Sequence, residues 1–130
     1  MPFDWADYLS LAWRLANEPD EASRRSAVSR AHYACYGTAA RYALEHGFPH
    51  AVVTHDRIWE WYHRLDDPSG RLINEIGKQV RDSRIVADYR ADDDRIAAQA
   101  RVVCRWADQL SELLSVLPDP TELPNEPSSQ

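Results

Sequence analysis

The sequence predicts an all-α fold, an antiparallel up-and-down bundle of about five helices. Three observations predict it. Apolar residues recur at three- and four-residue spacing through most of the chain, and no stretch alternates with the period of two that a half-buried strand requires. Only four glycines interrupt a composition rich in Ala, Arg, Leu and Glu, residues that lose little freedom in a helix. With 130 residues and a 44% apolar fraction that includes five Trp and six Tyr, the chain can build one core but not two.

The elements follow in order. Asp4 is placed to cap a first helix running to about Asn17, in which Trp5, Tyr8, Leu9, Ala12, Trp13 and Ala16 share one face. Glu18-Pro19-Asp20 ends it, and Asp20 caps a second helix that passes through Ala22, Val28, His32, Cys35, Ala39 and Tyr42 to a terminal Gly47. Phe48-Pro49 closes this hairpin. Thr54 restarts helix in THDRIWEWYHRL, where Ile58, Trp59 and Tyr62 form a short apolar stripe. Asp67-Pro68-Ser69-Gly70 has the composition of a turn, and a fourth helix is expected after it, burying Leu72, Ile73, Ile76, Val80 and Ile85 and reaching Tyr89. Gly77 inside that helix lowers helix propensity by up to about 1 kcal/mol, which points to close packing there.

Ala91-Asp92-Asp93-Asp94 puts acids at the positive end of a fifth helix, whose buried stripe is Ile96, Ala100, Val103, Ala107, Leu110, Leu114 and Leu117. This helix ends before Pro118. The bundle domain is therefore expected over residues 1–117. Residues 118–130, with four prolines and no apolar periodicity, are expected to form a disordered acidic tail.

Composition narrows the class. Cys35 and Cys104 are far apart in sequence with no CxxC, so they are expected as buried thiols in a cytoplasmic protein rather than as a disulfide or zinc ligands. The stretch MPFDWADYLSLAW lacks the basic start and long apolar stretch of a signal peptide, and no apolar run approaches the roughly 20 residues of a membrane span, so the chain is expected to stay in the cytosol. The formal charge of −6 argues against polyanion binding by the whole surface. All 15 basic residues nevertheless lie in residues 1–106 beside 16 acids, so the folded part is near neutral. Arg24, Arg25, Arg30 and Arg41 occur in a stretch with no acid between them, which allows a local basic face.

The residues that could carry chemistry resemble a known family. Ser29-Arg30-Ala31-His32-Tyr33-Ala34 is similar to an S-R-x-Y-Y-A run, Thr54-His55 opens the third helix, and Arg84 to Tyr89 (RIVADY) matches R-x-x-A-D-Y. Together, over residues 4–117, these resemble the HEPN domains of bacterial toxin, defence and nucleotide-associated proteins. The resemblance implies a homodimer with a cleft between subunits that handles RNA or a nucleotide without metal or other cofactor. Its implied site residues are Arg81, Arg84, Asp88 and Tyr89, with Arg30 and Tyr33 from the second helix. Arg81 and Arg84 would hold phosphate, Asp88 would orient Arg84 or a ribose hydroxyl, and Tyr89 would stack or hydrogen-bond. Tyr89 also matches a position that a partner nucleotidyltransferase can modify in two-component members.

Nuclease members of the family carry R-x(4–6)-H at the end of the fourth helix, and here no histidine follows His63. Metal-independent RNA cleavage needs a group that moves protons near neutral pH, which arginine cannot do. Arg25 with His32, Arg41 with His46 and Arg57 with His63 satisfy the spacing on other helices. Whether the chain is an enzyme is therefore open on sequence, and the alternative is a non-catalytic module that binds a protein partner. His32, His46, His50, His55 and Cys35 supply no four-ligand metal set. Trp5, Tyr8, Trp13, Trp59, Trp61, Tyr62 and Trp106 fall at helical burial periods, as core and interface residues do.

Overall fold

A computed structural model of the chain describes residues 3–50 and 53–118, and these residues form an all-helical bundle. Its elements are α1 (Ala6–Ala16), α2 (Glu21–Glu45), α3 (His55–His63), α4 (Pro68–Tyr89), α5 (Arg95–Ala98) and α6 (Ala100–Val116). The acidic tail expected from residue 118 lies, from residue 119 onward, outside the described residues. No helix among the described residues is long and apolar enough to cross a membrane.

Side-chain oxygens start the helices as the sequence predicts. Asp20 accepts from the Ser23 amide at 2.9 Å, and Thr54 Oγ1 accepts from the Arg57 amide at 3.3 Å, each satisfying a donor that the first turn would leave unpaired. Asp4 accepts from Ala6, but Trp5 already has helical dihedrals and occupies the cap position itself. α2 ends at Gly47, whose φ of 105° lies in the left-handed region, and the Phe48 amide reaches back to the Ala43 carbonyl at 2.9 Å. That bond and the buried Phe48 ring form the glycine-terminated cap that closes many helices.

Two boundaries differ from the sequence expectation. Asp67-Pro68-Ser69-Gly70 is the first turn of α4 rather than a separate turn. Asp67 caps it by accepting from Ser69, and Pro68 sits where its missing N–H costs nothing. The expected fifth helix divides at Gln99 into α5 and α6, with Asp93 rather than Asp94 accepting the Arg95 amide. Its stripe is buried as predicted, from Ile96 and Ala100 through Leu117.

α2 is the centre of the bundle. α1 runs antiparallel to it, since Trp5 lies over Gly37 at one end and Arg24 donates to the Glu18 carbonyl at the other. α4 is antiparallel on another side, with Arg25 against Val86 and Ala87, and Tyr33 against Arg84. α6 packs beside both, and Trp13 Nε1 of α1 donates to Asp108 of α6 at 3.0 Å. An element surrounded in this way must be slim, and its buried positions are mainly alanines (27, 31, 34, 39, 40 and 43) with Gly37. The bulk comes from its neighbours: Trp59, Tyr62, Ile58, Ile73 and Leu110 are fully buried. Each such side chain contributes about 1.5–3 kcal/mol of transfer free energy. Tyr62 places its hydroxyl 2.6 Å from the Ala39 carbonyl, so its burial leaves no unpaired donor. Trp5, Tyr8, Trp13, Trp61 and Trp106 are half-buried at the edges of the core, and Cys35 and Cys104 are free and buried within it.

The packing expected at Gly77 is present. A Cβ there would stand 2.5 Å from Trp59 Cδ2, and the Trp59 ring has no room to retreat. Gly77→Ala should improve helix propensity by about 1 kcal/mol yet lower the urea midpoint, because overpacking a buried ring costs about 1–3 kcal/mol, at least as much as that gain.

Candidate anion site between α2, α3 and α4

Arg84 stands on α4 against Tyr33 of α2. One of its terminal nitrogens donates to the Tyr33 hydroxyl at 2.8 Å, and its guanidinium carbon lies 5.4 Å from the Tyr33 ring centre and 5.6 Å from that of Tyr89. Nε approaches Asp88 Oδ2 at 3.1 Å as an ion pair, but its N–H is not aligned on that oxygen. Ser29 of α2 donates its hydroxyl to the same Asp88 oxygen at 3.4 Å. Tyr33, Arg84, Asp88 and Tyr89 therefore meet as the sequence suggests. The i, i+4 spacing of Arg84 and Asp88 makes their pairing local, while Tyr33 and Ser29 fix it to α2.

The other two expected residues are engaged with partners outside this group. Arg30 lies with its guanidinium 5.3 Å from the Tyr8 ring of α1, so the S-R run gives its tyrosine to the cluster and its arginine to a contact with α1. Residues three apart share a helix face about 60° from one another, so Arg30 and Tyr33 flank that face and reach different neighbours. Arg81 pairs with Asp56 of α3 and thereby ties α3 to α4 beside Arg84. The basic face suggested by Arg24, Arg25, Arg30 and Arg41 does not form either. Arg24 donates to Glu18, Arg41 pairs with Glu45, and Arg25 turns into the end of α4.

Two histidines complete the cluster, and the sequence pattern did not place them there. His55, the first residue of α3, stacks on Tyr36 at 3.7 Å and on His32 at 5.3 Å, nearly parallel to both. His32 and Tyr36 are one turn apart on α2, so α3 delivers an imidazole onto the ledge they form. Tyr33 meets the His32 ring edge-on at 4.7 Å. His32 is fully buried, and burial pulls its pKa down to about 3, with the charges of His55, Arg84 and Arg81 acting in the same direction. His55 is also lowered, first by partial burial and then by Arg81 and Arg84, against the opposing effect of Asp56. Both imidazoles are accordingly neutral at pH 7 and lie within the field of two guanidiniums. The signal for this grouping was present in Thr54-His55 and in the position of His32 next to Tyr33. Only the packing of α3 against α2 and α4 joins the two.

Among the described residues, five buried side-chain nitrogen or oxygen atoms have no hydrogen-bond partner, and three of them belong to this cluster: both ring nitrogens of His32 and Nε of Arg84. Unpaired buried polar atoms cost about 1–3 kcal/mol each and concentrate where a protein does chemistry or binds something. Comparison of the chain with models of known protein families, with curated proteins and with solved structures finds no match. The site must be interpreted from its own geometry.

Chemically, the arrangement offers an anion a phenol hydroxyl and two guanidiniums, each of which already holds a carboxylate, Arg81 that of Asp56 and Arg84 that of Asp88, so an anion binds there in competition with those pairs. A neutral imidazole stands beside them that can take up a proton, and the ring of Tyr89, 70% exposed, forms the outer wall. Among the described residues no three His, Cys, Asp or Glu side chains converge as metal ligands would.

Proposed function

We propose that the chain is a HEPN-like component of a toxin–antitoxin or defence system that binds RNA or a nucleotide phosphate at Arg81 and Arg84. The observation that supports this most directly is the convergence of α2, α3 and α4 on these two arginines, with Tyr33, Tyr89 and two neutral histidines around them. Planar guanidiniums suit a phosphate because they hold it through paired N–H donors. The imidazole missing from the end of α4 is then provided in space by His55, which makes it the group able to move a proton if the bound ester is cleaved.

A homodimer with the α4 ends facing each other is part of the proposal, and the exposure of Tyr89 leaves its ring free to line a shared cleft. The same exposure suits Tyr89 as a target for a nucleotidyltransferase partner. The test is induction of the wild-type chain and Arg84→Ala in growing cells, alongside anisotropy titration of the purified proteins with a labelled single-stranded oligoribonucleotide. Arg84→Ala should relieve growth arrest and weaken binding by about tenfold or more, the effect of losing one charged phosphate contact. A wild-type protein that neither arrests growth nor binds RNA would sink the proposal and leave a non-catalytic protein-interaction module in its place.

A further inference from the structure

A groove of about 480 Å³ opens between the start of α1, the C-terminal half of α2 and the segment before α3. Phe3, Trp5, Tyr36, Leu44 and Val53 supply its apolar lining, and Arg41, paired with Glu45, lines it together with His50. Its floor is made by Gly37, where the absence of a side chain lets the Trp5 ring lie against the α2 backbone; a Cβ there would be 2.1 Å from that ring. Phe3 packs edge-on against Trp5 at 5.1 Å, so two fixed aromatic rings and a tyrosine share one small cavity. Phe3 and Val53 remain 46% and 37% exposed, which is apolar surface that water alone does not favour.

Tyr36 links this groove to the arginine site. Its ring lines the groove and also carries His55, which in turn covers His32 within the field of Arg81 and Arg84. The stacked imidazoles of His55 and His32, which feel the charge of the guanidiniums, thus adjoin the aromatic groove through Tyr36. A flexible nucleotide strand presents this sequence of chemistry, a flat apolar ring next to a phosphate. The cavity falls in the range of about 300–1,000 Å³ typical of small-ligand sites, which is too small for a docked helix but fits one or two bases. Tyrosine and tryptophan faces bind any base by stacking, while Arg41 and Glu45 neutralise each other beside them, so the groove itself is selective for a flat uncharged ring.

We infer that the Phe3–Trp5–Tyr36 groove is a nucleobase subsite, holding an unpaired base of the same single-stranded RNA whose phosphate lies at Arg81 and Arg84. The inference rests on the proposed phosphate site for its register along the strand, but the groove is testable without it. The probes are adenosine, which has no phosphate, ribose 5-phosphate, which has no base, and hexa-adenylate, which has both. Each is titrated into the full chain and followed by amide NMR shifts and by anisotropy.

Adenosine should shift the amides of Gly37, Ala40 and Val53. Val53→Glu, an exposed substitution that leaves the core intact, should weaken hexa-adenylate by about tenfold while leaving ribose 5-phosphate unchanged, as the loss of one stacked base would. Leu44→Glu, at a second lining position, should do the same. Arg84→Ala should weaken hexa-adenylate and ribose 5-phosphate but not adenosine. The inference is overturned if adenosine moves no groove amide, or if both groove variants bind hexa-adenylate as the wild type does. Should adenosine shift the groove while ribose 5-phosphate fails to bind, the phosphate site falls and the base subsite stands.

Discussion

Lowering the pH from 7 to 4.5 is expected to destabilise the folded chain by about 2–3 kcal/mol through His32 alone. In the unfolded chain this imidazole takes up its proton near 6.5, whereas in the bundle it does so only near 3, because burial excludes the charged form and three neighbouring cationic or titratable groups oppose it. Between those values the unfolded state holds the extra proton. The stability is therefore fully present above pH 6.5 and is lost as the pH falls toward 3, at a rate approaching about 1.4 kcal/mol per unit. His55, lowered in the same sense, adds to this loss. Asp20 and Asp93, held below the usual carboxylate value of 3.8 by hydrogen bonds to the amides and side chains of Ser23 and Arg95, contribute only as the pH falls under about 4.

Urea midpoints measured at several pH values would show the slope, and His32→Phe should flatten it between pH 6.5 and 4.5. Phenylalanine keeps an aromatic ring beside His55 and Tyr33 and removes two nitrogens that have no partner, so at pH 7 the variant should be at least as stable as the wild type. A slope unchanged in His32→Phe would assign the acid lability to other groups.

Arg25→Met should cost about 3 kcal/mol, the largest loss expected from any single surface arginine. Arg25 is 15% exposed and spends its donors on the end of α4. Nη1 reaches the carbonyls of Ala87 at 3.0 Å and Arg90 at 3.1 Å and, more weakly, Val86 at 3.4 Å; Nη2 donates to the Asp93 carbonyl and Nε to Glu21 at 2.8 Å. The last carbonyls of a helix have no partner within it, and a cation placed there satisfies them and opposes the negative end of the helix dipole. Methionine keeps the apolar stem and loses the donors. Arg25→Lys should fall about midway, since it keeps the charge but not the planar fork. The residues Arg25 anchors are those around Asp88 and Tyr89, so Arg25→Met should also weaken oligonucleotide binding without touching the ligand. A urea midpoint unchanged in Arg25→Met would mean that water replaces the fork at no cost.

Arg25 also shows where sequence reasoning stopped. Its R-x(6)-H spacing to His32 suggested at most an accidental motif, while its true partners are backbone carbonyls more than 60 positions away, and backbone atoms carry no sequence signature. The same limit applied to the histidines. A motif is a pattern of spacing on one element, and α4 carries no imidazole among Pro68–Tyr89. His55 reaches the arginines from another helix.

By itself, the sequence determined most of what local physics controls: which segments are helical, that Asp20 and Thr54 begin two of them, where Gly47 ends α2, and the buried stripe of the last helix, although Leu72, expected in the stripe of α4, is 42% exposed and Ile85 only half-buried. It also placed Arg84, Asp88 and Tyr89 together, since i, i+4 neighbours on a helix meet whatever else the chain does. Tertiary structure alone decided which face each helix turns to which neighbour. That choice sends Arg30 to Tyr8, Arg81 to Asp56 and His55 between His32 and Tyr36. It is set by how alanines on α2 admit bulky rings from α1 and α3, a matter of summed volumes across the core that spacing along one helix does not encode.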